Sequence, residues 1–564
     1  MTLFSVFVDT CNKIEETSSS LEITDIVADF FEIIDDDEID VSCYMMIGDL
    51  FPAWREKELG LGPSILYEAI SKTSGCSVNS IKDAIREIGD IGNAAFEILN
   101  KQKKMQSTFS FFTEDETKAD KLTIRDVYSK MTDIANVSGK DARLKKIRIL
   151  ESLFSKATPG EVKYIVRIAL QEMRIGVGEA IIRDAISKSF DIDPADVDNA
   201  YMVVNDLGEI ARVAKTGGEE AVKKEDIEIG RPIKMMLAQV TPSVENAIAE
   251  MKSTAIEWKF DGARIQIHKN GNDVSLYSRK LENITNSMPD VVEAVQNSVS
   301  AESVILDGEA VAIDSEGKAG TFQDIMKRFR RKYNIEEAVE AIPIKVNVFD
   351  IVYLNGESLI NTPYRERRKL LADVVSNCLN LNVDEFLITD SADEVYKIYE
   401  EALKSGHEGI MLKNPDSYYS PGKRGKNWLK KKPLMDTLDL VVTGGEWGVG
   451  RRANKIGSFN LSCLDRENKL CEISKVGTGL SDELLDELTE KISEKIIKTE
   501  GTEIEIKPEI VFEVAFEEIQ KSPNTKAGYS LRFPRLVQVR DDKLPEDIDD
   551  IDKIEMMYES QRNI

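Results

Sequence analysis

The period of the hydrophobic pattern changes once along the chain, and this change constrains the fold more than any other feature. Through about residue 220, apolar side chains recur every three to four positions, as in the run Val162 to Met173, which is typical of amphipathic helices. From about Arg231 the period becomes two, which is typical of strands. A chain of 564 residues with 42% hydrophobic residues can bury several cores. We therefore expect a helical domain followed by strand-rich domains.

Local signals mark several helix boundaries in the first part. Thr158-Pro159-Gly160-Glu161 has the pattern of a capping box with proline at the first helical position. The run Ile23 to Ile34 repeats the helical spacing. Arg174-Ile175-Gly176-Val177-Gly178 opens another helix with glycines, whose amides could hold a phosphate or could simply form a tight turn between helices. The charged stretch Gly217 to Ile229 is predicted to be a loosely structured linker.

The middle of the chain predicts an antiparallel α+β domain. Apolar residues alternate at Ile265 and Ile267 and again at Val274 and Leu276, and Asn270-Gly271 between them offers a hairpin turn. Helical patterns separate the other strands, which argues against a doubly wound sheet. Those strands are predicted at Val304 to Ala312, Lys345 to Tyr353 and Gly409 to Lys413.

The last part of the chain predicts an all-β barrel of the oligonucleotide-binding (OB) type, because five short strands surround one helical insert near Asp482 to Lys498. The strands are predicted at Leu438 to Thr443, Ser458 to Leu464, Cys471 to Val476, Ile510 to Ile519 and Arg535 to Arg540. We place the domains at residues 1–226, 227–434 and 435–564, the last with an acidic tail at Asp541 to Asp552.

Composition indicates in which cellular compartment the protein works. No run of eighteen apolar residues predicts a membrane span, and no basic segment precedes an apolar stretch at the N-terminus, as a secretion signal would require. The six cysteines include no Cys-x-x-Cys pair, which argues against a zinc ribbon and for a reducing, cytoplasmic setting.

The net charge of -27 argues against a nucleic-acid partner, because binding to phosphates depends on lysine and arginine. The distribution of charge argues the other way, since two basic clusters lie in the same third of the chain. Each cluster could be a solvated face or part of a polyanion site. The clusters are Lys327, Arg328, Arg330, Arg331 and Lys332, and Lys423, Arg424, Lys426, Lys430, Lys431 and Lys432.

Lys259-Phe260-Asp261-Gly262, at the head of a strand-like run, is the first candidate for catalysis. A lysine in a half-buried strand can serve as a nucleophile when its amine is neutral, although this short pattern also fits a surface lysine beside a turn. Only two histidines exist, His268 and His407, so chemistry must depend on lysine, arginine and carboxylates.

Other residue types suited to phosphoryl transfer follow in the same region. Glu309 and Glu408 stand at strand ends and could be hard ligands for a metal ion, or simply turn carboxylates. Phe349 could stack on a base, or be an ordinary core residue of a strand. Lys430 and Lys432 alternate onto one side of a predicted strand, where they could neutralise a phosphate and lower the pKa of Lys259.

The order of these pieces resembles the motif set of the covalent nucleotidyltransferases, and most closely that of the ATP-dependent DNA ligases of the archaeal and eukaryotic replicative kind. Arg174 to Glu179 is similar to a signature of that family's helical DNA-binding domain, and Arg231 to Ala238 to its entry to the adenylation domain. The ordered motifs are Glu257 to Arg264, Ser278-Arg279, Asp307 to Glu309, Phe349 to Ile351, Glu408-Gly409, Trp428 to Lys432, and Arg532 to Arg535.

The resemblance implies an enzyme that seals nicks in duplex DNA during replication, recombination and repair. Lys259 would form lysyl-AMP, AMP would pass to the 5′-phosphate, and the 3′-hydroxyl would then displace it. ATP would be the cofactor, together with Mg²⁺, or alternatively Mn²⁺, held by Glu309 and Glu408. The other residues implied to contact the nucleotide are Glu257, Arg264, Arg279, Phe349, Arg424, Lys430, Lys432, Arg532 and Arg535.

Within that set, the resemblance implies separate roles. Glu257, Arg264 and Arg279 would contact adenine, ribose and phosphate. Arg532 and Arg535, on the barrel domain, would orient the pyrophosphate, after which this domain would swing away so that the duplex can be encircled. Arg279 and Arg424 could instead serve the DNA.

The expected partner is nicked duplex DNA, bound by a monomer. The segment Gln106 to Phe112 is similar to a sliding-clamp docking peptide, although its aromatics come one position early, and a hydrophobic cluster at a helix end is the alternative. Three rival functions remain open at this point: an RNA-capping guanylyltransferase, an NAD-dependent ligase, and a DNA-binding scaffold without activity.

Overall fold

The computed structural model describes residues 1–562 except 56, 110–120, 242, 314–319, 321, 330, 332–333, 434–435 and 449–454. Contacts divide the chain into two units. The first contains residues 1–398 and 410–431, and the second contains residues 399–409 and 432–564. Among the described residues, no helix has the length and apolar character needed to cross a bilayer.

Helices fill the first part of the first unit, as the period of the sequence predicts. Their core is aromatic near the N-terminus, where the rings of Phe4 and Phe7 stack at 5.4 Å and Phe30 packs edge-on against Phe7. The helices are α1 (Phe4–Glu15), α2 (Ser20–Ile33), α3 (Ile39–Ile47), α4 (Pro63–Ser74), α5 (Val78–Ile88), α6 (Ile91–Phe109), α7 (Ile124–Asn136), α8 (Ala142–Lys156), α9 (Pro159–Leu170), α10 (Glu179–Phe190), α11 (Pro194–Val204) and α12 (Leu207–Val222).

The capping box predicted at Thr158 is confirmed, because its side chain accepts from the Glu161 N–H while the Glu161 carboxylate accepts from the Thr158 N–H. The prediction of a loose linker from Gly217 is wrong in its first half. Helix α12 continues to Val222, with a kink at Gly218, whose φ of 64° is readily adopted by glycine.

The segment after α12 is anchored to the next domain rather than loose. The Gly230 N–H donates to His268 Nδ1 at 3.0 Å, and the Tyr277 hydroxyl donates to the Gly230 carbonyl at 2.7 Å. The Ile233 N–H donates to the side-chain oxygen of Gln266 at 2.9 Å. Three side chains of a neighbouring sheet therefore fix the chain where it enters the middle domain.

Two sheets form the middle domain. One has the order β1-β11-β10-β2-β9, and the other has the order β4-β3-β5-β6-β7 with β8 also paired to β6. Their elements are β1 (Leu237–Val240), α13 (Val244–Met251), β2 (Thr254–Lys259), β3 (Ala263–Asn270), β4 (Asp273–Ser278), α14 (Pro289–Ser298), β5 (Ser303–Ala312), α15 (Phe322–Phe329), α16 (Ile335–Ala341), β6 (Ile344–Leu354), β7 (Glu357–Ser358), α17 (Tyr364–Val374), β8 (Leu381–Val383), β9 (Leu387–Thr389), α18 (Ala392–Lys404), β10 (Gly409–Lys413) and β11 (Arg424–Lys431).

The predicted strands of this domain are confirmed, with two corrections. The pairs β1–β11 and β6–β8 are parallel, so the sheets are mixed rather than purely antiparallel. In the β3–β4 hairpin Asn270 pairs with Asp273, so the two loop residues are Gly271-Asn272, one position later than predicted. Gly271 has a φ of 58°, which explains why a glycine stands there.

The second unit is a β domain, as predicted, but it contains more strands than the five expected. Strand β12 pairs along one edge with β13 and along the other with both β16 and β17, and β17 also pairs with β20. The elements are β12 (Asp436–Trp447), β13 (Ile456–Leu464), β14 (Leu470–Val476), α19 (Asp482–Ser493), β15 (Ile496–Glu500), β16 (Glu503–Ile506), β17 (Val511–Phe516), β18 (Glu518–Lys521), β19 (Tyr529–Arg532), β20 (Arg535–Val539) and α20 (Ile551–Arg562).

Two details of this unit differ from the expectation. The helical insert ends at Ser493, and β15 begins at Ile496, so the last residues predicted to be helical, up to Lys498, lie in a strand. The acidic stretch near the C-terminus leads into α20, whose Ile551, Ile554 and Tyr558 pack in the core of the unit. Residues 551–558 are therefore part of the folded domain.

Candidate functional site

Strand β2 carries Lys259 at its end, where the strand changes from buried to partly exposed. Side chains alternate along a strand, so Glu257 and Lys259 lie on the same face of β2. Glu257 is buried and Lys259 is partly buried. The sequence thus places a carboxylate and an amine side by side, two residues apart.

Close contacts with β5 explain why the last residue of the Lys-Phe-Asp-Gly motif is a glycine. A Cβ added to Gly262 would lie 2.4 Å from the Ala310 carbonyl oxygen and 2.9 Å from Cγ of Glu309. The chain must pass this close to β5 because β3 begins at Ala263 and pairs with it, setting Arg264 opposite Glu309. The motif therefore brings the backbone three residues after Lys259 against Glu309, and it sets Arg264 opposite this candidate metal ligand.

Arg264 is held by a buried carboxylate that sequence reasoning did not single out for a role. The guanidinium forms two hydrogen bonds with Asp307, one of them 2.8 Å from Nε to Oδ1, and Nη1 donates to the Met236 carbonyl. The Tyr419 hydroxyl donates to the other oxygen of Asp307 at 2.8 Å. Burial opposes the charged form, but Asp307 outweighs burial and raises the pKa of Arg264. Arg264 is thus a fixed cation beside Glu309.

Glu257 belongs to a second buried cluster. Its carboxylate accepts from the Lys413 ammonium and from the Tyr364 hydroxyl, and Arg368 Nε lies 3.9 Å away. Burial lowers the pKa of Lys413, and burial together with Glu257 raises that of Tyr364. Sequence reasoning missed Lys413, although a lysine in the predicted apolar strand 409–413 is the same signal that pointed to Lys259.

Phe349 stands between these clusters. Its ring makes an edge contact with Trp428 at 6.1 Å, and both the Lys413 ammonium, at 4.3 Å, and the Arg264 guanidinium, at 5.5 Å, lie over it. The ring is partly buried, so it is not a purely internal core residue. This position suits a ring that stacks on a flat ligand.

The residues predicted to contact phosphate lie at separate places in the domain rather than in one cluster. Arg424 begins β11 and Arg279 follows β4, and both are exposed. Lys430 is partly buried on β11, opposite Met411 of β10. Of these three residues, only Lys430 lies on the part of β11 that pairs with β10.

The second unit contains the remaining predicted residues. Lys432 Nζ lies 2.5 Å from Glu408 and 3.1 Å from Glu517, so a predicted phosphate contact pairs directly with a predicted metal ligand. Burial disfavours the charged form of Lys432, but the carboxylates of Glu408 and Glu517 together have the larger effect, so the pKa of Lys432 is raised. Arg532 Nη1 pairs with Glu518 at 3.2 Å, and Arg535 is exposed at the start of β20.

The first basic cluster is in part structural. Arg328 is fully buried, pairs with Asp290 at 2.7 Å, and donates to the carbonyls of Ser287, Ala338 and Ile342. The interpretation of this cluster as a polyanion site is therefore wrong for Arg328, because its charge does not reach the surface. None of the side chains of the predicted clamp-docking segment 106–112 is among those that the structure describes.

The fold and site together define a class: a nucleotidyltransferase domain of mixed sheets between a helical domain and a C-terminal β domain. Three family models match the chain in that order. They are "DNA ligase N terminus" over residues 3–187, "ATP dependent DNA ligase domain" over 235–432, and "ATP dependent DNA ligase C terminal region" over 452–543.

Relatives agree with these matches. The chain is 53% identical to a DNA ligase of Methanococcoides burtonii, with 100% of both chains covered, and 47% identical to a DNA ligase of Archaeoglobus fulgidus, with 99% of both covered. The fold is similar to the solved structure "Pmar-Lig_PreS3", with a TM-score of 0.55, 20% identity, and 95% and 99% of the two chains covered. The chain belongs to the ATP-dependent DNA ligases, which seal nicks in DNA. The predicted family, fold class and reaction are thereby confirmed.

Proposed function

We propose that Lys259 is the residue that carries AMP in this ligase. Its Nζ would attack the α-phosphorus of ATP, forming a P–N bond as the P–O bond to pyrophosphate breaks and the amine loses a proton. The observation that supports the proposal is the corner at Gly262, three residues after Lys259 in the chain, where the backbone passes close to Glu309 and Arg264 pairs opposite that carboxylate. Reaction at this corner would gain mainly from positioning and fixed charge.

The surrounding side chains have distinct proposed roles. Arg264 is pre-set by Asp307 and would contact the nucleotide without reorganising. Phe349 would stack on the base, and Lys430 and Arg424 would contact phosphate oxygens. Arg279 would contact either the nucleotide or the DNA.

Glu309 could bind a magnesium ion whose other ligands are phosphates of the substrate and water. Mg²⁺ is usually bound by one or two carboxylates plus phosphates and water, and no cluster of three or more candidate ligands occurs in the described residues. Glu309 would thus be the protein's ligand in the first unit, and the ion, when bound, would neutralise charge on the transferred phosphate. Mn²⁺ would suit the same oxygen ligands. Glu408 would serve as a further ligand if its pairing with Lys432 were exchanged for the metal.

The later steps follow from the family's reaction. AMP would move from Lys259 to the 5′-phosphate of nicked duplex DNA, and the 3′-hydroxyl would displace it to close the strand. Arg532 and Arg535 would orient the pyrophosphate in the first step. We propose that the protein works as a monomer in the cytoplasm, where its DNA substrate lies, and that the 106–112 segment docks a sliding clamp.

Labelling with α-labelled ATP tests the nucleophile. Wild-type protein should retain label after denaturation, and Lys259→Ala should retain none. Lys280→Ala removes an exposed lysine of the same domain and should label like wild type. Label retained by Lys259→Ala would exclude Lys259 as the carrier. Nick sealing in separate ATP, GTP and NAD reactions should succeed with ATP.

A further inference from the structure

The free energy of folding does not explain why Lys413 is buried with its ammonium paired. Lys413 is the last residue of β10 and 1% exposed, and its Nζ contacts the Glu257 carboxylate and donates to the Tyr364 hydroxyl at 3.2 Å. A buried ion pair is often no more stabilising than apolar residues of the same volume, because both charges lose their hydration. The pair therefore points to a function for a charged, fixed Glu257.

The position of the pair relative to the nucleophile indicates what that function is. Glu257 precedes Lys259 by two residues on the same face of β2, about 7 Å away along the strand. The Lys413 ammonium also lies 4.3 Å from the Phe349 ring, the proposed stacking partner of the base. A base stacked on Phe349 while its α-phosphate meets Lys259 would therefore have an edge near the Glu257 carboxylate.

An ionised carboxylate only accepts hydrogen bonds. It suits a base edge that carries an amino group, such as the 6-position of adenine, and repels one that carries an oxo group, such as that of guanine. Lys413 and Tyr364 both contact the Glu257 carboxylate as donors, so its oxygens are fixed in place as acceptors. A carboxylate has about four acceptor positions, so acceptors remain for a ligand.

We propose that Lys413, assisted by Tyr364, is a positioning residue that determines base specificity. It holds Glu257 as a pure acceptor toward the 6-amino group of adenine. This inference rests on the proposed function, because it requires a nucleotide bound beside Lys259.

The test compares two triphosphates that differ only at that amino group: ATP and purine riboside triphosphate, which lacks it. The measured quantity is kcat/KM for labelling of Lys259, followed by intact mass. Wild type should prefer ATP by about 10- to 150-fold, the range of a hydrogen bond to a charged group. In Lys413→Met the preference should fall to about threefold or less, through loss of rate with ATP, and Lys413→Arg should restore part of it.

Lys269→Met is the matched control, because Lys269 is another buried lysine, on β3, and it donates to the Ala301 carbonyl at 2.6 Å. This variant should change both rates in proportion and keep the preference. The same proportional change in Lys413→Met would overturn the proposal, since a merely structural lysine would behave that way. A wild type without preference would also overturn it.

Tyr364→Phe removes a single hydroxyl and decides the matter if Lys413→Met does not fold. A preference reduced severalfold supports the proposal, and an unchanged preference overturns it. Absence of labelling at Lys259 with either nucleotide would refute the proposed function and this inference with it, whereas labelling with an unaltered preference in the variants refutes this inference alone.

Discussion

Replacing Asp350, the residue next to Phe349 on β6, tests whether a buried ion pair stabilises the strand that carries Phe349. Its carboxylate accepts from Arg367 Nε at 2.7 Å and from Nη2 at 2.9 Å, and both side chains are fully buried. Asp350→Asn would leave the Arg367 charge without a counter-ion. Removing one partner of such a pair costs about 3–5 kcal/mol.

The expected loss can be measured locally, since the chain has several domains and global unfolding would not be two-state. Amide hydrogen exchange of the β6 peptide reports the free energy of opening that strand. At about 1.4 kcal/mol per tenfold change, protected amides should exchange roughly 100- to 4,000-fold faster in Asp350→Asn.

Asp416→Asn is the control, because Asp416 pairs at 2.8 Å with Arg365 of the same helix as Arg367, but both side chains are exposed. A surface pair contributes about 0–1 kcal/mol, so exchange should accelerate no more than about fivefold. If Asp350→Asn behaves like Asp416→Asn, the reasoning that burial makes this pair essential is wrong.

Two further outcomes are expected. Gly262→Ala should lower the rate of Lys259 labelling at least about tenfold, because the added Cβ would displace Glu309 and the Ala310 carbonyl, whereas Gly425→Ala, whose Cβ would meet nothing within 4 Å, should label normally. Normal labelling of Gly262→Ala would refute the steric account of the motif. Burial lowers the pKa of His268 to about 3, below its unfolded value near 6.5. The unfolded state therefore binds the extra proton, so stability is lost as pH falls from 6.5, by up to about 1.4 kcal/mol per pH unit. His268→Gln should lose less stability between pH 6.5 and 4.5 in exchange experiments on β3, and an identical pH slope in both proteins would contradict this assignment.

Much of the fold follows from sequence because its signals are local. The helical spacing of Val162 to Met173 and the capping box before it predict α9, and the alternation at Ile265 and Ile267 predicts β3. Errors fall where tertiary packing overrides local composition. The charged stretch after Gly217 continues as helix, and the acidic C-terminal stretch leads into α20 because apolar residues every three to four positions find a core there.

The candidate site divides in the same way. By itself, the sequence determined the order of the motifs and the residue types needed for phosphoryl transfer, since lysine, carboxylate and aromatic chemistry does not depend on the fold. Only the tertiary structure decided which of these side chains meet. It assigned Asp307 to Arg264, Lys413 to Glu257, and Glu408 to Lys432, and it buried Arg328, whose sequence context suggests a surface charge. The physical reason is that pairing and burial depend on residues far apart in the chain, which strand register and sheet order bring together.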